Sequence, residues 1–134
     1  MSAPLELVTR PHARQLVTWA EQRPEVLLLS ADLTSSCEAD DFRAAYPERF
    51  FSMGMAEQNM MSFAGGLARE GFTPFVHTFA VFITRRPFDQ VAMSIAYPNL
   101  PVRLLGFLPG LTTPGGVTPL TPATQSTRSS VEQT

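Results

Sequence analysis

Four short apolar runs, separated by stretches of helical periodicity, limit this chain more tightly than any other feature. They fall at residues 26–29 (Val-Leu-Leu-Leu), 49–52, 73–79 and 102–106. A continuous apolar run of this length, bounded by turn residues, predicts a strand covered on both faces. Runs of that kind alternating with helices predict a three-layer α/β/α domain with a mainly parallel sheet. The 134 residues suffice for one such domain with a real core and are too few for two.

The helical stretches carry their own punctuation. Thr9 is expected to cap a first helix with Pro11 in its opening turn and Ala13, Leu16, Val17 and Ala20 on one face, ended by Arg23-Pro24. A short helix is expected over 38–46, stopped by Pro47. From Ala56 to Gly71, Met60, Met61, Ala64, Leu67 and Ala68 recur at helical spacing, and Gly71 is placed as the C-terminal cap. Gly65-Gly66 lies inside that helix. Two glycines there cost ~2 kcal/mol relative to alanines, so close approach of a neighbouring backbone is expected. Thr78 or Thr84 is expected to cap the next helix, with Phe88, Val91, Ala92, Ile95 and Ala96 facing inward.

Composition removes several classes of function. Net charge is −2, which offers no surface for nucleic acid. Cys37 is the only cysteine, so an internal disulfide and a cysteine-based zinc site are both excluded. The two histidines, His12 and His77, have no partner at ligand spacing. There is no G-x-G-x-x-G and no G-x-x-x-x-G-K-[ST] phosphate cradle. No signal-peptide pattern and no apolar run of ~18 residues is visible, and a soluble, cytoplasmic chain is expected. Only 16% of residues are charged, below the usual ~25%, which fits a surface partly covered by a partner.

What remains for chemistry clusters at one edge of the expected sheet. Glu57 opens the helix after the second strand, on the same stripe as Met60 and Met61. It reads either as a first-turn acid favoured by the helix dipole or as a buried acid that needs a partner. Asp32 follows the first strand, where open parallel sheets meet ligands; an Asx-turn or helix-cap role is the alternative. Phe79 and Phe82 bracket the end of the third strand and would suit a planar heteroaromatic ligand as well as a core. Arg85-Arg86 reads as a phosphate contact or as a solvated pair at a helix start.

Three stretches taken together, Ala31-Asp32-Leu33, Gly54-Met55-Ala56-Glu57-Gln58-Asn59-Met60 and Thr78-Phe79-Ala80-Val81-Phe82, resemble the pyrimidine-binding domain of thiamine-diphosphate enzymes. The transketolase family is the nearest in look, in the split form where this domain opens a separate subunit. The resemblance implies that Glu57 hydrogen-bonds N1′ of the cofactor's aminopyrimidine and that Phe79 and Phe82 pack around the ring. It also places Asp32 and Met55 beside the cofactor. The implied activity is transfer of a two-carbon ketol unit. In the family the diphosphate and its Mg²⁺ are held by another domain through a G-D-G motif, which this chain lacks. A diphosphate-binding N-terminal subunit is therefore the implied partner, in a homo- or hetero-oligomer, and the isolated chain is expected to be inactive.

The chain departs from the family after its fourth strand. The histidine-containing and Gly-Glu-Asp-Gly segments, which contact substrate in transketolases, have no counterpart in Gly106-Phe107-Leu108-Pro109-Gly110-Leu111 and the residues that follow. Beyond Pro109 the last stretch is rich in threonine, serine and proline without apolar periodicity. The expected boundaries are a partial pyrimidine-binding domain over 1–118 and a disordered or out-of-frame, truncated tail over 119–134. The runner-up readings are a 1-deoxyxylulose-5-phosphate synthase or 2-oxo-acid dehydrogenase beta-type fragment, and a non-catalytic remnant that only binds a partner subunit.

Overall fold

The computed structural model describes residues 9–109. Strands β1 (Val26–Ser30), β2 (Phe50–Ser52), β3 (Thr73–Phe79) and β4 (Arg103–Phe107) form one sheet in the order β2-β1-β3-β4, with every pairing parallel. All five residues of β1 are buried, as its inner position and unbroken apolar run require. Alternate residues point to opposite faces, and the core divides accordingly. Leu27, Leu29 and Val76 meet Met60, Met61, Ala64 and Ala68 of α3 (Glu57–Arg69), together with Ile83 and Ile95. On the other face Val26 and Leu28 meet Leu16 and Ala20 of α1 (Pro11–Ala20) and Phe42 of α2 (Asp40–Ala45). Fully burying a side chain such as Leu28 contributes about 1.5–3 kcal/mol. The three-layer α/β/α architecture is the one the sequence predicts.

Because the strands are parallel, their carboxyl ends share one edge. The loop carrying Asp32, the turn before Glu57 and the end of β3 at Phe79 all lie there.

Several local expectations fail for physical reasons. Thr9 does not cap α1. Arg10 is the N-cap, left-handed at φ 52°, and makes no side-chain cap bond. The orphan amide of Ala13 is satisfied instead by Glu38 Oε2 at 3.1 Å, from the loop before α2, while Arg10 binds Asp40. Neither threonine caps the helix after β3. Helix α4 (Ala80–Arg85) begins at once behind Phe79, and Thr84 Oγ1 donates to the Ala80 carbonyl at 3.2 Å. The expected long helix beyond it is a single turn, α5 (Phe88–Gln90), running into a π-helical segment, Val91–Ala96. The wider turn breaks the 3.6-residue register, so Ile95 is buried while Phe88 is 68% exposed.

The glycine pair splits in its use. A Cβ on Gly65 would lie 2.5 Å from the Ser94 carbonyl oxygen of the π segment, whereas Gly66 faces open space. Gly71, at φ 92°, closes α3 as expected. The Phe72 amide bonds Leu67 O and the Gly71 amide bonds Ala68 O, the Schellman pattern. The domain boundary at 118 and the expected tail over 119–134 lie outside the described residues.

Candidate functional site

Glu57 is the first residue of α3 and is 3% exposed. Gly54, at φ 68°, turns the chain between β2 and the helix in a conformation that glycine adopts without strain. A carboxylate held at that depth requires a counter-charge. Arg86 supplies it: Nη1 donates to Glu57 Oε1 at 3.0 Å. The next residue of the helix holds the same arginine by its backbone, as Gln58 Nε2 donates to the Arg86 carbonyl at 3.0 Å. The Arg86 guanidinium in turn lies 3.7 Å from the centre of the Phe82 ring, within cation–π range. Phe82 stacks on Phe79, with centroids 6.0 Å apart and planes 29° from parallel. Carboxylate, guanidinium and two rings thus form one continuous array at the carboxyl edge of the sheet.

Three of the five residues singled out from the sequence, Glu57, Phe79 and Phe82, are brought together. The other two are not part of the array. Met55 is 78% exposed on the turn before α3. Asp32 is exposed and left-handed at φ 60°. The Asp32 side chain takes no Asx-turn bond among the described residues, and the neighbouring Leu33 amide donates to Ser30 Oγ at 3.3 Å. What sequence reasoning missed is the role of Arg86, which pairs with Glu57 where the sequence predicts a phosphate contact or a solvated pair. Of the Arg85-Arg86 pair only Arg85 stands free in solvent; Arg86 reaches back across 29 residues of chain to the buried acid.

A second polar cluster lies on the α1 face. His12 Nε2 and His77 Nε2 are 3.2 Å apart, and Phe107 packs against both rings. His77 is fully buried, and its Nδ1 lies 2.9 Å from the Cys37 carbonyl. A carbonyl can only accept, so Nδ1 carries the proton and the neutral ring accepts at Nε2 from His12. Burial, with His12 alongside, pushes the His77 pKa down to about 3. Burial also lowers that of His12, against the pull of Glu38. The buried Cys37 thiol is pushed up to about 12 by desolvation, so it is an inert thiol. Among the described residues no three His, Cys, Asp or Glu side chains group as a metal site. An open apolar groove of about 550 Å³, lined by His12, Leu16, Trp19 and Phe75 among others, also lies on this face. None of the Glu57 array lines it, so the polar chemistry and the groove are separate features. Among the described residues no helix is long and apolar enough to cross a membrane.

The fold, a parallel sheet covered by helices, is that of a three-layer α/β domain. Residues 11–126 match the family described as the transketolase pyrimidine binding domain, and the chain belongs to that family. It is 48% identical over 103 residues to the transketolase family protein y4mN of Sinorhizobium fredii, covering 77% of this chain and 30% of that protein. It is 39% identical over 97 residues to the 6-deoxy-6-sulfo-D-fructose transketolase subunit SqwH of a Clostridium species, covering 72% of this chain and 30% of the subunit. A solved split-gene transketolase, described as an inactive beta4 tetramer, superposes with a TM-score of 0.64 at 44% identity, over 71% of this chain and 32% of that one. The chain thus spans less than a third of the length of these relatives.

Proposed function

We propose that this chain supplies the pyrimidine half of a thiamine-diphosphate site in an enzyme that transfers a two-carbon ketol unit. One observation carries the reading: a buried carboxylate at a helix start is already paired with a planar N–H donor that lies on an aromatic face. An aminopyrimidine offers a flat π-surface and an in-plane ring nitrogen that accepts a proton from a carboxyl group, so the residues present fit the cofactor. When bound, that cofactor supplies the nucleophilic carbon and the electron sink for ketol transfer. Glu57 shares a proton with the ring nitrogen N1′, and the low dielectric around it strengthens that bond. Phe79 and Phe82 hold the ring plane and keep water from the carboxylate. Asp32 and Met55 flank the same edge, exposed here and available to be covered by a docking subunit.

The diphosphate and its Mg²⁺ fall to a diphosphate-binding domain outside these residues, on this reading in a second polypeptide. A relative named as a subunit and a split-gene structural neighbour support that arrangement. A single buried cysteine suits a reducing, cytoplasmic setting. The second reading, a subunit that associates without turning over, draws on the neighbour described as inactive. Co-expression with a diphosphate-binding transketolase subunit separates the two. Ketol transfer that requires both chains and added cofactor is expected. A tight complex that binds no thiamine diphosphate would refute the catalytic reading.

A further inference from the structure

The pyrimidine edge is already occupied by the protein itself. We propose that Arg86 is a placeholder in the pyrimidine subsite: its guanidinium fills the slot between Glu57 and the face of Phe82, and a planar aminopyrimidine must displace it to bind. This inference rests on the cofactor reading above and adds to it a competing residue.

Four observations carry it. The guanidinium covers the two groups that the cofactor reading assigns to the ring, with a 3.0 Å hydrogen bond to Glu57 Oε1 and a 3.7 Å approach to the Phe82 ring centre. A guanidinium and an aminopyrimidine are both flat with an N–C–N edge in the plane, but the guanidinium donates from its N–H groups whereas the ring nitrogens accept. The Arg86 side chain is 47% exposed while that of Glu57 is 4% exposed, so the arginine can swing into solvent and the acid cannot follow. Its backbone is fixed independently by Gln58, so the side chain can leave without unseating α4. A buried carboxylate without counter-charge is destabilising. Arg86 removes that cost while the site is empty; once it is displaced, Glu57 takes up a proton from solvent and donates it to the ring nitrogen N1′, leaving a neutral pair.

The consequence is that Arg86 opposes cofactor affinity, the reverse of what a cofactor-positioning arginine would do. The test uses the full chain and the cofactor's pyrimidine half alone, 4-amino-5-hydroxymethyl-2-methylpyrimidine, titrated by NMR at millimolar concentrations. Arg86→Ala is expected to bind this probe about five-fold more tightly than the parent chain, the counterpart of ~1 kcal/mol for a charge pair with one half-exposed partner. Arg86→Gln, which keeps part of the stem and an N–H donor on this side chain, guards against a variant that fails to fold and is expected to fall between the two. Affinity in Arg86→Ala equal to or below the parent's, absence of binding in both included, overturns the placeholder. Glu57→Gln keeps the two claims apart: probe binding that it leaves unchanged refutes the cofactor reading whatever Arg86 does.

Discussion

The two polar clusters lie on opposite faces of one sheet and accommodate buried polar groups in opposite ways. At the carboxyl edge Glu57 is paired with an arginine whose side chain is half in water. On the α1 face His12 and His77 are held neutral, joined by one shared proton and closed over by Phe107. An ion pair with one mobile partner can exchange that partner for a ligand. A neutral pair whose inner ring sits in a strand, tied to a backbone carbonyl, cannot exchange without opening the sheet. The difference makes the edge the better candidate for recognition, while the histidines limit the pH range of the fold.

The largest expected effect tests the neutral half of this contrast. His77 has a folded pKa near 3 against an unfolded value of about 6.5. Between those values the unfolded chain binds a proton that the folded chain refuses. Stability is therefore full above about pH 6.5 and lost on acidification, at about 1.4 kcal/mol per pH unit for one such group. Urea unfolding at a series of pH values should show that slope and show it flattened in His77→Gln; parallel curves would mean that the pair is not held neutral.

A smaller effect tests how Glu57 is seated. Gly65→Ala pushes a methyl into the Ser94 carbonyl and should destabilise by about 1–3 kcal/mol. Gly66→Ala, in open space one residue on, should be neutral or stabilise by up to about 1 kcal/mol. Equal effects in thermal melts would remove the close approach as the reason for the first glycine.

The smallest effect sharpens the charged half. A double-mutant cycle on Glu57 and Arg86 should give a coupling of about 1 kcal/mol that shrinks with added salt, because one partner is half exposed. The same cycle on His12 and His77 at neutral pH should not respond to salt. Matching salt responses would break the comparison.

The sheet was legible because its signal is local: 26–29 is an unbroken apolar run, and the structure buries every residue of β1. Glu57, Phe79 and Phe82 were legible as candidates through their positions at strand ends and helix starts, and their grouping follows from parallel topology. What was not legible depends on partners far away in the chain. Glu38 satisfies the amide of Ala13 from 25 residues on, Arg86 finds Glu57 across 29, and His12 meets His77 across 65. No periodicity encodes these pairs. The π segment was missed because Val91, Ile95 and their neighbours fit helical spacing in sequence, while the approach of Ser94 to Gly65 is a matter of packing.

Binding calorimetry on the two-subunit assembly tests the central claim most directly, with thiamine diphosphate titrated into complexes carrying either the parent chain or Glu57→Gln. If Glu57 is the pyrimidine contact, the substitution should weaken cofactor binding at least ten-fold and lower ketol transfer by about 10²–10⁴, the range of a lost acid–base group. Unchanged affinity and turnover in the Glu57→Gln assembly would contradict it.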